Sequence, residues 1–233
     1  MQQPLRTVST QGAFGNASSL LATHKVLRNT YMLLAATLLL SAVMAAVSMA
    51  INPPRFTGLV TSLGAMALIW FALPRTANSE KGLYVVFGIT GLLGFGLGPM
   101  LNHYLKLPNG GELVITALGG TALIFGSLSV YVLTTKKDFS FMGGFLMVGV
   151  MVLFFASLAA VGASFFGVDV SMAFIAISAV SVLLFSALIL YDTSRIINGG
   201  ETNYIMATIA LYLDILNIFT SLLHLLGFAS NDD

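Results

Sequence analysis

Residues 171–192 read SMAFIAISAVSVLLFSALILYD, and this stretch decides the fold class. It opens a predicted helix over residues 171–197 that has no charged residue before Asp192. This helix is long enough to cross the hydrocarbon core of a bilayer. Comparable apolar runs lie on both sides of it, at residues 30–51, 56–73, 82–105, 112–133, 141–166 and 204–228. The sequence therefore predicts an all-α membrane protein, a bundle of seven transmembrane helices.

The composition of the 233-residue chain excludes several other classes of protein. Hydrophobic residues make up 57% of the chain and charged residues 8%, against about 25% charged residues in an ordinary soluble domain. The formal net charge of +1 provides no basic surface for nucleic acid. Because the chain has no cysteine, disulfides, thiolate metal sites and cysteine nucleophiles are excluded as well.

The distribution of basic residues predicts the orientation of the bundle. Lysine and arginine in short loops stay on the cytoplasmic side, and with the N-terminus inside, only Arg55 and Lys106 fall on the outer side. We therefore expect residues 1–29 to form a flexible cytoplasmic tail, residues 30–228 the transmembrane domain and residues 229–233 a short periplasmic tail.

Two carboxylates within the predicted spans are candidate functional groups, because an ionisable side chain at bilayer depth costs about 2.5 kcal/mol or more. Asp192 lies about six residues from the turn at residues 198–201 and Asp214 about thirteen, a depth difference of roughly 10 Å. This spacing alone does not bring them together. If they meet, they share a proton and titrate as one pair, with Arg75 as the best available counter-ion. A hydrated interfacial Asp192 and a structural, neutral Asp214 remain open alternatives.

Small residues are concentrated in the third and fourth runs, where Gly98 and Pro99 stand out. Small side chains let helix backbones approach closely, and a proline frees a backbone carbonyl within a helix. Tight packing and a pore-lining role are both compatible with this pattern. The three histidines show no metal-ligand spacing, so we expect no metal site and no cofactor.

Several segments carry a resemblance to a known family: SLLATHKVLRNTY at residues 19–31, LGP at 97–99, LTTKKDFSF at 133–141 and GGETNYI at 199–205. They resemble the transmembrane BAX inhibitor motif (Bax inhibitor-1) family over nearly the whole chain. The resemblance implies a central seventh helix surrounded by the other six. It also implies a pH-sensitive aspartate pair, matched by Asp192 and Asp214, that is latched by an arginine on the second helix, for which Arg75 is the nearest match.

The same resemblance implies two functions. Members of the family leak calcium down its gradient, and some bacterial members are substrates and modulators of the membrane-anchored, ATP-dependent protease FtsH. We therefore expect a multi-pass protein of the bacterial inner membrane that modulates or inhibits FtsH without being an enzyme. The alternative is a pH-gated calcium or proton leak that uses the aspartate pair.

An intramembrane aspartyl protease is a third, weaker hypothesis. Those proteases need Gly-x-Gly-Asp before the second acid, whereas Tyr212 and Leu213 precede Asp214 here. A retinal protein is excluded because the seventh run has no lysine for a Schiff base.

Overall fold

The computed structural model describes the backbone of residues 11–230 and the side chains of residues 23–230. Within this range the chain is helical and has no strand, and seven of its helices are long and apolar enough to cross a membrane. They are α1 (Gln11–Ile51), α2 (Thr57–Thr76), α3 (Lys81–Leu105), α4 (Gly110–Thr135), α5 (Gly143–Phe165), α6 (Ser171–Ile197) and α7 (Tyr204–Ala229). The predicted all-α, seven-helix membrane fold is confirmed.

The first helix differs most from its predicted bounds. It was expected from about Thr30, but α1 begins at Gln11, so residues 11–29 of the predicted tail are helical. No proline interrupts the chain between Gln11 and Thr30, and a helix already nucleated in the membrane extends through such a segment. Residues 1–10 of the predicted N-terminal tail and residues 231–233 of the predicted C-terminal one lie outside the described residues.

The second helix also continues beyond its predicted end at Leu73, as far as Thr76. A π-helical turn at Leu68–Ala72 ends two residues before Pro74. Proline has no amide hydrogen to donate to the preceding turn, and a widened turn before it relieves the crowding of its ring against that turn. The helix therefore passes through Pro74 instead of ending there.

The seventh helix is the core of the bundle. Half of the residues in the most apolar 18-residue stretch of its span are buried, against 17–33% in the corresponding stretches of the other six helices. It packs directly on α1, α3, α4 and α6, whereas α2 lies mainly on α3, and α5 lies on α6. The predicted central position of the seventh helix is confirmed, with four helices as its main direct neighbours and two in outer positions.

The tightest helix packing joins α1 and α3 across small residues. A Cβ atom added to Gly94 would lie 2.5 Å from Ser41 Cα and 2.6 Å from the Ser41 carbonyl oxygen. One added to Gly98 would collide with the side chain of Ser48. In lipid, where no hydrophobic effect drives helices together, such close backbone contact is a main source of association energy.

The loops at the two ends of the bundle carry ionised carboxylates. The backbone N–H of Ser140 donates to Asp138 Oδ1 at 2.8 Å, and that of Ser171 donates to Asp169 Oδ1 at 2.9 Å. Hydrogen bonds from these serines hold the pKa of each aspartate below its ordinary value. Both carboxylates therefore stay charged at neutral pH, as expected of loops in water.

Replacing Gly94 by alanine should destabilise the bundle, because its new methyl group would meet the α1 backbone. We expect Gly94→Ala to lower the unfolding free energy by about 1–3 kcal/mol in mixed micelles. Gly126→Ala on α4 is the matched control, since nothing lies within 4 Å of the Cβ position there. Equal effects of the two substitutions would contradict the close approach of α1 and α3.

An odd number of spans should place the two ends of the chain on opposite sides of the membrane. A reporter fused after Asp233 should behave as periplasmic, and one inserted near Gly12 should behave as cytoplasmic. Protease accessibility of spheroplasts provides the measurement. Two ends on the same side would contradict the seven-span assignment.

Candidate functional site: an acid pair between α6 and α7

Asp214 is the most deeply buried charged residue among the described residues. It lies near the middle of α7 and is 3% exposed. Its Oδ2 atom is sealed from solvent and has no hydrogen-bond partner in the part of the chain that the structure describes. Because buried polar atoms nearly always have a partner, this oxygen is an acceptor suited to a donor on a neighbouring helix.

Asp192, half-buried on α6, faces Asp214 closely enough for the two carboxyl groups to interact. The structure thus brings together the two acids that spacing alone left apart. Two ionised carboxylates contain no donor for one another, whereas one protonated carboxyl can donate to the unbonded oxygen of its partner. The arrangement is therefore suited to holding a single proton between α6 and α7.

The connection between α6 and α7 explains how Asp192 and Asp214 can lie at the same depth in the bundle. Asp192 lies five residues before the end of α6 and Asp214 ten residues after the start of α7, a nominal difference of about 7.5 Å. The six connecting residues, 198–203, can span more than this distance. For both carboxyls to lie at one level, α7 must start about 7.5 Å farther from the membrane centre than α6 ends.

Asn203 anchors that start of α7. Its Oδ1 accepts hydrogen bonds from the backbone N–H groups of Ile205, at 2.9 Å, and Met206, at 3.2 Å, which caps the helix. Its Nδ2 donates to the carbonyl of Ala77 at 3.0 Å and to Asn78 Oδ1 at 2.8 Å. The α6–α7 hairpin is in this way tied to the connection between α2 and α3.

The positive charge beside the acid pair comes from the hairpin itself. Arg195 lies one helical turn after Asp192 and is its cationic neighbour. Its guanidinium lies 3.5 Å from Glu201 Oε2, donates to the Gly200 carbonyl at 3.2 Å and stands 5.5 Å from the Tyr191 ring centroid. The sequence already contained the signal for this contact, an i, i+3 spacing on one helix face.

Arg75, the counter-ion expected from the sequence, is not brought to the acids in this structure. Its side chain is exposed and donates to the Phe71 carbonyl of its own helix at 2.5 Å. This carbonyl belongs to the widened turn before Pro74, which offers the guanidinium a nearby acceptor. The latching role of Arg75 stays a prediction.

A second buried polar cluster, which the sequence did not reveal, ties α7 to α1 and α3. The hydroxyl of Tyr212 lies 2.7 Å from Ser41 Oγ, and Ser41 Oγ donates to the Thr90 carbonyl at 2.7 Å. All three residues are buried. In the sequence Tyr212 resembles an ordinary packing residue, and Ser41 and Thr90 are single polar residues within apolar runs.

Gly98 and Pro99 lie on different surfaces of α3. Gly98 is buried against Ser48 of α1, as described above. Pro99 lines a cleft of about 570 Å³ between α2, α3 and α7, together with Asn217 and Thr220. Tight packing is thus observed at Gly98, and Pro99 borders a space with polar groups of the central helix.

Among the residues whose side chains are described, no group of three or more histidine, cysteine or acidic residues could hold a metal ion. His103 and His224 instead flank Tyr104, with ring centroids 5.5 and 6.1 Å from the tyrosine ring.

Comparison with known proteins agrees with this architecture. A family model described as "Inhibitor of apoptosis-promoting Bax1" (Bax1-I) matches residues 23–231. An uncharacterized membrane protein of Vibrio cholerae is 49% identical over 94% of this chain and 98% of its own length. A protein of Escherichia coli K12 named "Modulator of FtsH protease YccA" is 48% identical over 92% of this chain and 95% of its own.

The same E. coli protein is named "Inner membrane protein YccA" in a second strain, at the same identity and coverage. These names describe a modulator and membrane proteins, and neither they nor the family description names an enzyme. With a match that extends from the start of the first span to the end of α7, the chain belongs to the Bax1-I family of membrane proteins.

Proposed function

We propose that this chain is a non-enzymatic modulator of the membrane-anchored, ATP-dependent protease FtsH. The observation that carries the proposal is the 48% identity to the E. coli FtsH modulator, which covers 95% of that relative. Such coverage leaves no separate domain of the relative to account for its role. The interaction with the protease would then be a property of the seven-helix bundle and its N-terminal extension.

The geometry of α1 supports this proposal. The membrane-spanning part of α1 begins at Thr23, but the helix begins at Gln11. Twelve residues of helix therefore precede the span, a length of about 18 Å. An ATP-driven protease needs an accessible end of the chain to start pulling, and such an extension provides one.

The bundle itself supports a modulating role over that of a simple substrate. The central helix α7 is half buried and makes contacts with four other helices. Pulling on α1 must first separate it from α3 and α7, and any helix unwound within lipid leaves backbone groups without partners. Slow extraction would keep the protease occupied.

Deleting residues 2–20 should slow degradation of the protein by FtsH, because the extension that the protease grips is removed while the span from Thr23 stays intact. Pulse-chase measurement of the half-life in cells tests this, and a several-fold longer half-life is expected. Deleting residues 231–233 at the other end is the control and should change nothing. An unchanged half-life after the N-terminal deletion would contradict the proposal that FtsH begins pulling at this extension.

A second candidate function, a pH-gated calcium or proton leak, is favoured by one specific observation. Asp192 and Asp214 face each other across α6 and α7, with one buried carboxylate oxygen unbonded. A proton held there would join the two helices, and its loss would set two negative charges against each other in a low dielectric. The resulting repulsion could open a path for cations beside α7.

Neutralising either acid should abolish the pH dependence of this leak. In Asp192→Asn and Asp214→Asn the pair loses its shared proton, so the calcium efflux from liposomes should no longer respond to pH. Arg195→Gln should move the pH midpoint upwards, because the ionised pair loses its neighbouring positive charge and keeps its proton to higher pH. Arg75→Gln is the matched control, since this side chain contacts the Phe71 carbonyl.

A wild-type pH midpoint in both asparagine variants would contradict the leak mechanism. A midpoint that moves in Arg75→Gln and not in Arg195→Gln would instead restore the counter-ion expected from the sequence. Co-purification with FtsH alongside the efflux measurement separates the two functions: binding without efflux supports the modulator, and efflux without binding supports the leak.

A further inference from the structure

A basic cleft lies between α1 and α4, at the end of the bundle where the span of α1 begins. It has a volume of about 640 Å³ and is lined by His24, Lys25, Leu27, Arg28, Tyr31 and Leu133. One wall thus carries basic side chains, and the rest is aliphatic and aromatic. The functions proposed above for the acid pair and for the N-terminal extension of α1 do not involve this cleft.

The cleft lies at the level of the membrane–water interface. Lys25 comes two residues after the start of the α1 span, and Leu133 comes two residues before the end of the α4 span at Thr135. Lys136 and Lys137 follow directly and are exposed. Cations at this depth lie where lipid phosphates lie.

The cations of the cleft have no acidic partner among the described side chains. Lys25 and Arg28 are exposed, and the one ion pair found in residues 23–230 joins Arg195 to Glu201. Asp138, the closest acid along the chain to Leu133, accepts a hydrogen bond from Ser140. The cleft is therefore left with an uncompensated positive charge.

Below the cleft, α1 and α4 remain apart. They are not a packed helix pair, although both pack on α7. Tyr31 and Phe125 approach each other across the gap, with ring centroids 6.0 Å apart. Beyond these rings the same two helices, together with α3 and α7, line an apolar cavity of about 500 Å³. In a bilayer, hydrocarbon chains fill such a gap, because an empty one loses the packing that holds helices together.

We propose that this cleft binds one phospholipid with a net negative headgroup. The phosphate lies between Lys25 and Arg28, whose guanidinium can donate two parallel hydrogen bonds to it. An acyl chain descends along Leu27, Tyr31 and Leu133 into the gap between α1 and α4. Phosphatidylglycerol has this chemistry, whereas the headgroup of phosphatidylcholine is zwitterionic and would bring its cationic choline group against the basic wall.

Native mass spectrometry of the full chain in detergent tests the selectivity. With equal amounts of phosphatidylglycerol and phosphatidylcholine, the wild type should retain phosphatidylglycerol preferentially. In the double variant Lys25→Gln/Arg28→Gln the ratio of retained phosphatidylglycerol to phosphatidylcholine should fall about tenfold, since each basic residue near an anionic lipid strengthens its binding several-fold. The pair Arg55→Gln/Lys106→Gln removes two basic residues outside the cleft and should retain the preference.

Equal retention of the two lipids by the wild type would overturn the proposal. So would an equal loss of preference in both double variants, which would show a diffuse charge effect. Displacement of phosphatidylglycerol by millimolar inorganic phosphate would point to a free-phosphate site and overturn the lipid assignment.

A fluorescence measurement keeps the basic residues intact and decides the matter even if the double variant misfolds. Trp70 is the single tryptophan of the chain. In a Trp70→Phe background, the Leu133→Trp reporter should be quenched more by brominated phosphatidylglycerol than by brominated phosphatidylcholine. Leu123→Trp on the same helix, where the leucine is 75% exposed, is the control and should be quenched equally by both. If the two brominated lipids quench the Leu133→Trp reporter equally, as they do the control, the proposal is overturned.

Discussion

The burial of α7 within the bundle is the constraint on which the rest of the structure depends. In lipid every backbone group must be satisfied inside its own helix, so the helices associate through packing and a few polar contacts. Both kinds of contact converge on α7, which meets α1, α3, α4 and α6. Tyr212 joins it to α1 through Ser41, and Asp214 faces Asp192 on α6. The central helix therefore carries the polar chemistry of the fold.

This arrangement gives the two proposed functions a common physical origin. A helix held from four sides resists extraction, which suits a protein that occupies a protease. The same helix contains a buried acid, and in the proposed leak its protonation state would decide whether α6 and α7 attract or repel each other. The contacts that would make the protein a slow substrate are thus the ones that a change of pH would weaken.

Much of the fold could be predicted from the sequence, because long apolar runs have few alternative structures in lipid. The bounds of α6 were predicted to the residue, and those of α7 to within one. The N-terminal extension of α1 could not be predicted, because its polar residues are equally compatible with a flexible tail. The passage of α2 through Pro74 depends on a widened turn that has no sequence pattern of its own.

The candidate site was predictable in part. Asp192 and Asp214 were identifiable because a charge in an apolar run is costly, but their contact depends on where α7 starts, which Asn203 sets through its bonds to Ala77 and Asn78.

A double-mutant cycle on Asp192→Ala and Asp214→Ala, read as unfolding free energy in mixed micelles, tests the contact most directly. We predict a coupling energy of about 1 kcal/mol or more, and additivity within about 0.5 kcal/mol would contradict the acid pair.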